Sequence, residues 1–197
     1  YANDIHLSGQ FLLAIIDNLL RLSTIQAGER EFRSEPVALN DILPECIGKI
    51  EMGSRNGNIA VRWELSEQLP EFLSDRQALS QIINNIFANA VKFSRAGGTI
   101  SIRSWKDGDR LGFTIEDTGI GIPQDEIRLI TDPFYRVGAN PHIAQAEGAG
   151  LGLSVVKALV DSLAGKLSID SEPGSGTSVT VSFPATGIDV PRRTNPD

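Results

Sequence analysis

Between residues 76 and 183 the apolar pattern passes twice from helical spacing to strand spacing, and this succession limits the fold more than any other feature of the chain. After Asp75, whose carboxylate is placed to cap a helix, Leu79, Ile82, Ile83, Ile86, Phe87, Ala90 and Val91 mark one broad buried face. Thr99 to Trp105 and Leu111 to Glu116 then alternate with period two, joined by the turn formers Lys106-Asp107-Gly108-Asp109. Leu151 to Ala164 returns to helical spacing and is expected to end at Gly165. Lys166 to Asp170 and Thr177 to Phe183 close the series as a second hairpin across Glu172-Pro173-Gly174-Ser175-Gly176. Elements that arrive in blocks predict an α+β fold, a two-layer sandwich in which helices cover one face of a mixed sheet.

Upstream, Ile5, Leu12 and Leu19 recur every seven residues with Ile15 and Leu22 as a second seam, which predicts a long helix that packs on other helices. Gly28 is its expected C-cap. Glu31 to Ala38 reads as extended, and Pro36 keeps it from the centre of a sheet. Asn40 is expected to cap a second helix that tolerates Pro44 in its first turn and runs to about Gly53. Ile59, Val61, Trp63 and Leu65 read as a strand with one buried face. Gln124 to Ile130 reads as a short helix, Val137 to Gly150 as a mobile loop, and the polar, Pro-containing tail from Ala185 as disordered.

Composition matters chiefly for what it excludes. A net charge of -7, with Lys and Arg scattered among more numerous acids, argues against nucleic acid as a partner. No apolar run is long enough to span a bilayer, and Tyr1 to Gln10 lacks the form of a signal peptide, so a soluble piece without membrane contact is expected. Cys46 stands alone and reads as a small buried apolar residue, compatible with a reducing compartment. The absence of an initial methionine, inside an apparent helix, suggests a fragment of a larger protein.

Four segments carry candidate chemistry. Asn85 and Asn89 lie one helical turn apart, with Lys92 about a turn beyond; two neutral oxygen donors and a cation suit a magnesium-bound triphosphate, although solvated Asn on a helix is the ordinary alternative. Asp117-Thr118-Gly119-Ile120-Gly121-Ile122-Pro123 directly follows an apolar strand. A buried carboxylate there accepts a hydrogen bond from the amine of adenine and repels the carbonyl of guanine, while a simple strand-to-helix turn uses the same residues. Asp132 to Val137 holds an aromatic pair, with Phe134 either anchoring a lid or filling core, and Arg136 within reach of phosphates. Gly148-Ala149-Gly150-Leu151-Gly152-Leu153 enters a helix and offers unpaired N–H groups to phosphate. It has neither the preceding strand of a dinucleotide fingerprint nor the Gly-Lys-Ser/Thr of a Walker loop.

In this order and spacing the four segments resemble the N, G1, F and G2 boxes of the sensor histidine kinase catalytic domain, a branch of the superfamily with the Bergerat-type ATP-binding fold. The resemblance covers about residues 35 to 184. It implies ATP and Mg2+ as cofactors, with Asn89 ligating magnesium and Asn85 supporting the metal or the phosphates. Lys92 would contact phosphate, Phe93 and Ile122 would flank the base, and Asp117 would bind adenine. Gly119, Gly121 and Thr177 would shape that wall, Gly148, Gly150, Leu151, Gly152 and Leu153 would wrap the phosphates, and Phe134 would anchor the lid. Asn85, Lys92 and Arg136 are the residues implied to act in phosphoryl transfer. Gyrase, mismatch-repair and heat-shock ATPases share the fold and resemble one another in carrying Glu where this chain has Asn85. A neutral amide is no base for water, so transfer to another nucleophile is implied and hydrolysis is not.

The opening helix, Ile5 through Gly28, resembles the second helix of the family's dimerisation and phosphotransfer hairpin. His6 lacks the following Glu and the Arg-Thr-Pro context of an acceptor, so the accepting histidine is expected on a preceding helix, and His142 in the lid is expected to face solvent. The implied layout is residues 1–30 as partial hairpin, 31–184 as catalytic domain and 185–197 as tail. The implied partners are a response regulator receiver domain and a second copy through the hairpin, in the cytoplasm, either in a soluble protein or in the cytoplasmic part of a membrane-anchored sensor. Two departures stand out. Ala149 replaces the frequent Ser or Thr, and Ala139 to Glu147 contains no Lys or Arg. They motivate the alternative of a pseudokinase that works as a regulatory binding module.

Overall fold

The computed structural model describes residues 2–51, 59–137 and 150–187. The first helix, α1 (Ala2–Gln26), ends where Gly28 takes φ 69° and Glu29 N–H donates to the Thr24 carbonyl at 3.0 Å. Strand β1 (Glu35–Val37) pairs antiparallel with β3 (Phe72–Ser74) in a small separate sheet, and between them lie α2 (Leu39–Glu51) and β2 (Ala60–Glu64). The central helix α3 (Arg76–Phe93) leads into β4 (Thr99–Asp107) and β5 (Arg110–Asp117). After α4 (Gly152–Ser162), β6 (Lys166–Glu172) and β7 (Gly176–Pro184) complete the main sheet.

That sheet has five strands in the order β2-β4-β5-β7-β6, with β2 parallel to β4 and every other pairing antiparallel. Period-two alternation decides what faces inward. Leu111, Phe113 and Ile115 of β5 are buried, as are Ile100 and Ile102 of β4 and Val179, Val181 and Phe183 of β7. Against this face lies α3, whose Leu79, Ile82, Ile83, Ile86 and Phe87 are buried, with α2 and α4 packed on either side of it. The fold is the expected α+β sandwich, a mixed sheet with its helices on one face.

Several local expectations need correction. Asn40 does not cap α2 but lies within it. Its amide donates to the Ser66 carbonyl at 2.8 Å and accepts from Ser104 Oγ at 2.7 Å, tying the helix to the main sheet. The Ala38 carbonyl instead receives the N–H groups of Asp41 and Ile42. The inward face of β2 is incomplete: Val61 packs on the core, yet Trp63 is 40% exposed because this strand forms the sheet edge. Residues 124–130 form hydrogen-bonded turns, with no regular helix. The left-handed residue ending α4 is Ala164, at φ 52°, not Gly165. Gly165 is required for space, since a Cβ there would come within 2.9 Å of the Phe183 ring.

Cys46 is buried, as expected. Among the described residues no helix is long and apolar enough to cross a membrane. Ala185 donates its N–H to the Asp109 carbonyl at 2.7 Å. The rest of the expected disordered tail, 188–197, lies outside the described residues, as do Gly148, Ala149, His142 and the whole stretch 139–147.

Candidate functional site

The inner face of the sheet that carries Leu111, Phe113 and Ile115 ends in Asp117, and the alternation that buries three apolar side chains buries a carboxylate with them. Asp117 is only 7% exposed. Gly119 N–H donates to its Oδ1 at 2.8 Å, and Thr177, its register partner on β7, donates a second backbone hydrogen bond. Burial nevertheless wins over these bonds and pushes the carboxyl above its ordinary value, with a small further push from Glu116.

The loop after Asp117 is held on two sides. Ile120 N–H donates to the Phe93 carbonyl at the end of α3, and the Ile120 carbonyl accepts from Gly174 N–H at 2.7 Å in the β6–β7 turn. Ser171 Oγ accepts from Ile122 N–H at 2.8 Å and donates to the Gly176 carbonyl. The close approaches require glycine. A Cβ on Gly119 would sit 2.3 Å from the Phe93 carbonyl oxygen, and one on Gly121, at φ 70°, would sit 1.9 Å from that of Glu172.

Between this loop, α3 and the start of α4 is a cavity of about 350 Å³. The sheet gives its floor through Ile115, Asp117, Ile169, Thr177 and Val179. From α3 come Ile86, Asn89, Ala90 and Phe93, spaced three and four apart so that they share one face, with Lys92 at the edge. Gly121 and Ile122 form one wall, and Arg136 with Gly150, Leu151, Gly152 and Leu153 forms the other. The Asn89 amide lies beside Gly152, 3.9 Å from where a Cβ would stand. Polar groups thus enter the cavity from different elements, the Asp117 carboxylate from the sheet floor and the Asn89 amide from α3 beside the first residue of α4.

Most of the site residues expected from sequence meet in this cavity, but three described ones do not line it. Asn85 turns toward α4, donating its amide to the Gly152 carbonyl at 3.4 Å. Gly119 lies behind the wall, against Phe93. Phe134 is 55% exposed at φ 66°, and the adjacent Tyr135 lines the cavity instead, its hydroxyl bonded to Glu126 Oε2 at 3.0 Å. Gly148 lies outside the described residues.

Sequence reasoning missed the apolar lining, Ile86, Ile115, Ile120, Ile130, Ile169 and Val179, because alternation marks core and pocket floor alike. It also missed Asn18, the contribution of α1. Among the described residues no cluster of three His, Cys, Asp or Glu groups forms a metal cage. A hard cation here would need ligand oxygens from a bound phosphate and from water, with amide oxygen from the protein, a donor set that suits magnesium.

Residues 74–187 match the model of the family described as histidine kinase-, DNA gyrase B-, and HSP90-like ATPase. An uncharacterised sensor-like histidine kinase of Rhizobium meliloti is 33% identical over 185 residues, which is 94% of this chain and 35% of that protein. The cell-division control histidine kinase PdhS of Brucella anthropi is 32% identical over 196 residues, covering 95% of this chain and 19% of the relative. The chain thus spans about a third of the first relative and a fifth of the second. Among solved structures, full-length ShkA in complex with AMPPNP aligns with a TM-score of 0.80 at 27% identity over 96% of this chain and 39% of that one. The mycobacterial sensor histidine kinase MprB aligns at 0.66 with 26% identity, over 79% of this chain and 98% of that one.

Proposed function

The chain belongs to the histidine kinase-, DNA gyrase B- and HSP90-like ATPase family, and from that premise we propose that it is the ATP-binding catalytic core of a sensor histidine kinase. ATP lies with adenine against Asp117, where the exocyclic amine donates to the carboxylate, and with its phosphates at the N-terminus of α4. Lys92 and Arg136 meet phosphate charge, and the backbone N–H groups of Gly150 to Leu153, at the start of α4, meet phosphate oxygens. The Asn89 amide oxygen is the protein's ligand for magnesium, which neutralises charge on the phosphates when bound. Asn85 works indirectly, fixing the first residue of α4 through the Gly152 carbonyl.

One observation carries kinase over hydrolase. Asp117 is the sole carboxylate among the described cavity-lining residues, and it stands at the adenine end. Beside the phosphates the described side chains are amides and cations, none of which takes a proton from water at neutral pH. The γ-phosphoryl group instead passes in line to a histidine outside residues 1–197 and from there to a response-regulator aspartate. This chain contributes positioning and charge neutralisation. The full protein works as a homodimer in the cytoplasm, where ATP is supplied.

The alternative, a pseudokinase-type regulatory module that binds nucleotide or a partner, rests only on the two sequence departures, Ala149 and the lack of Lys or Arg from Ala139 to Glu147. Calorimetry with ATP, with and without magnesium, tests the reading: tight binding should depend on magnesium, and Asn89→Ala should remove that dependence. No heat with either ATP or ADP would overturn it. A longer protein that includes the preceding helix expected to carry the acceptor histidine should acquire acid-labile phosphate from γ-labelled ATP and release little free phosphate. Steady release would instead indicate hydrolysis.

A further inference from the structure

Helix α1 meets the rest of the molecule along a narrow seam, packing on α4. Its buried contacts are Leu22 and Ile25, at 4% and 6% exposure, with Ile15 packed against the same core. Ile15 and Leu22 are seven apart and Leu22 and Ile25 three apart, which is one face of a helix. Asn18 falls on that same face, three residues after Ile15 and four before Leu22. A carboxamide in the middle of an apolar seam interrupts it at a cost unless its hydrogen-bonding groups are met. Asn18 is half-buried and lines the nucleotide cavity together with Gly152 and Leu153 of α4. Because α4 is the element on which α1 packs, this places Asn18 at the end of the cavity where the helix N-terminus and Asn89 lie.

We propose that Asn18 is a nucleotide-contact residue supplied by the helical segment, donating its amide N–H groups to the terminal phosphate oxygens of a bound nucleotide. The assignment rests on the nucleotide reading given above and deepens it. A neutral amide adds a donor without another positive charge beside Lys92 and Arg136, and its position on α1 makes the contact conditional on docking. Phosphate occupancy then favours the docked helix, and the docked helix raises affinity for phosphate, because linkage between two equilibria is reciprocal. Orientation of α1, the segment that would connect to the rest of a longer protein, is thereby coupled to the content of the pocket.

Calorimetry of the whole chain with magnesium AMPPNP and with adenosine provides the test. Asn18→Ala should weaken AMPPNP about tenfold, the loss expected for one hydrogen bond to a charged group, and leave adenosine unchanged. Asn18→Asp should weaken AMPPNP further by repulsion, and Asp17→Asn, an exposed neighbour, should change neither. Leu22→Ser, which loosens the seam, should reproduce the Asn18→Ala loss, and the double variant should lose no more than either single one. An Asn18→Ala protein that binds AMPPNP as the parent does overturns the inference while leaving the nucleotide reading intact. So does an equal loss for adenosine, which would mark a structural role. Failure of the parent chain to bind either probe overturns both.

Discussion

Asp117 carries opposing demands, since it stands inside the sandwich, where a charge is costly, and is the group that would select adenine. Burial raises its carboxyl above the ordinary value of 3.8 despite two backbone hydrogen bonds. The folded state therefore holds the proton more tightly than the unfolded chain. Its contribution to stability is full below the unfolded value and is lost as pH rises through the raised one. The stability difference between parent and Asp117→Ala, measured by urea unfolding, should consequently move in the parent's favour as pH falls from 7 toward 4. Adenine recognition runs the other way: ADP affinity of the parent should fall across the same interval as the charged acceptor is lost. Asp117→Ala should weaken ADP at pH 7 by about tenfold to a hundredfold, the range for a hydrogen bond to a charged group. The position of Asp117 was readable in sequence because period two continues without a break from Leu111 through Ile115. The orientation of Asn85 was not readable. Four residues make slightly more than one turn, and with the cavity face centred on Ile86, Asn89 and Phe93 the remaining offset turns Asn85 toward α4.

At the scale of elements, the placement of α3 depends on the residue that caps its N-terminus, and the shape of one cavity wall on the loop that follows β5. Asp75 uses both carboxylate oxygens, Oδ1 accepting from Ala78 N–H at 2.7 Å and Oδ2 from Arg33 N–H at 2.8 Å. Asp75→Ala should cost about 1–2 kcal/mol in urea unfolding with an unchanged m value, as for loss of a helix cap. Its effect on ADP affinity, measured while the protein is fully folded, should be small. Gly121→Ala should do the reverse. The Cβ has no space against the Glu172 carbonyl and the backbone has φ 70°, so the wall must move. ADP affinity should drop by about tenfold or more while the sheet persists in far-ultraviolet circular dichroism. The cap at Asp75 and the hairpin at Gly108-Asp109 were legible because each depends on a few adjacent residues. Strand β3 was not, because three residues are too few to show a period and Phe72–Ser74 is extended only through its pairing with β1. Asn40 was misread for a related reason: the carbonyl and hydroxyl that claim its amide are 26 and 64 residues away.

For the molecule as a whole, α1 has two apolar faces with different fates. One face, bearing Leu22 and Ile25, is buried against the rest of the molecule, where α1 packs on α4. The other leaves Leu12, Leu13, Leu19 and Leu20 between 45% and 63% exposed, with Ile16 beside them. Heptad spacing revealed an apolar helix but not this division, which depends on how α4 is placed against the sheet. A contiguous exposed stripe of this kind marks an interaction surface, and a second copy of α1 offers a complementary one. The isolated chain should therefore show a concentration-dependent rise in mass by sedimentation equilibrium, and Leu13→Glu with Leu20→Glu should keep it monomeric by placing charge on the stripe. Because neither residue lines the cavity, ADP affinity should be retained in that double variant. Ligand and association would then stabilise the fold through separate equilibria. ADP at a hundred times its Kd should add about 2.7 kcal/mol to the unfolding free energy of the monomeric variant. If abolishing association also abolished binding, the two faces of α1 would have to be one functional surface, and the separation drawn between them would fail.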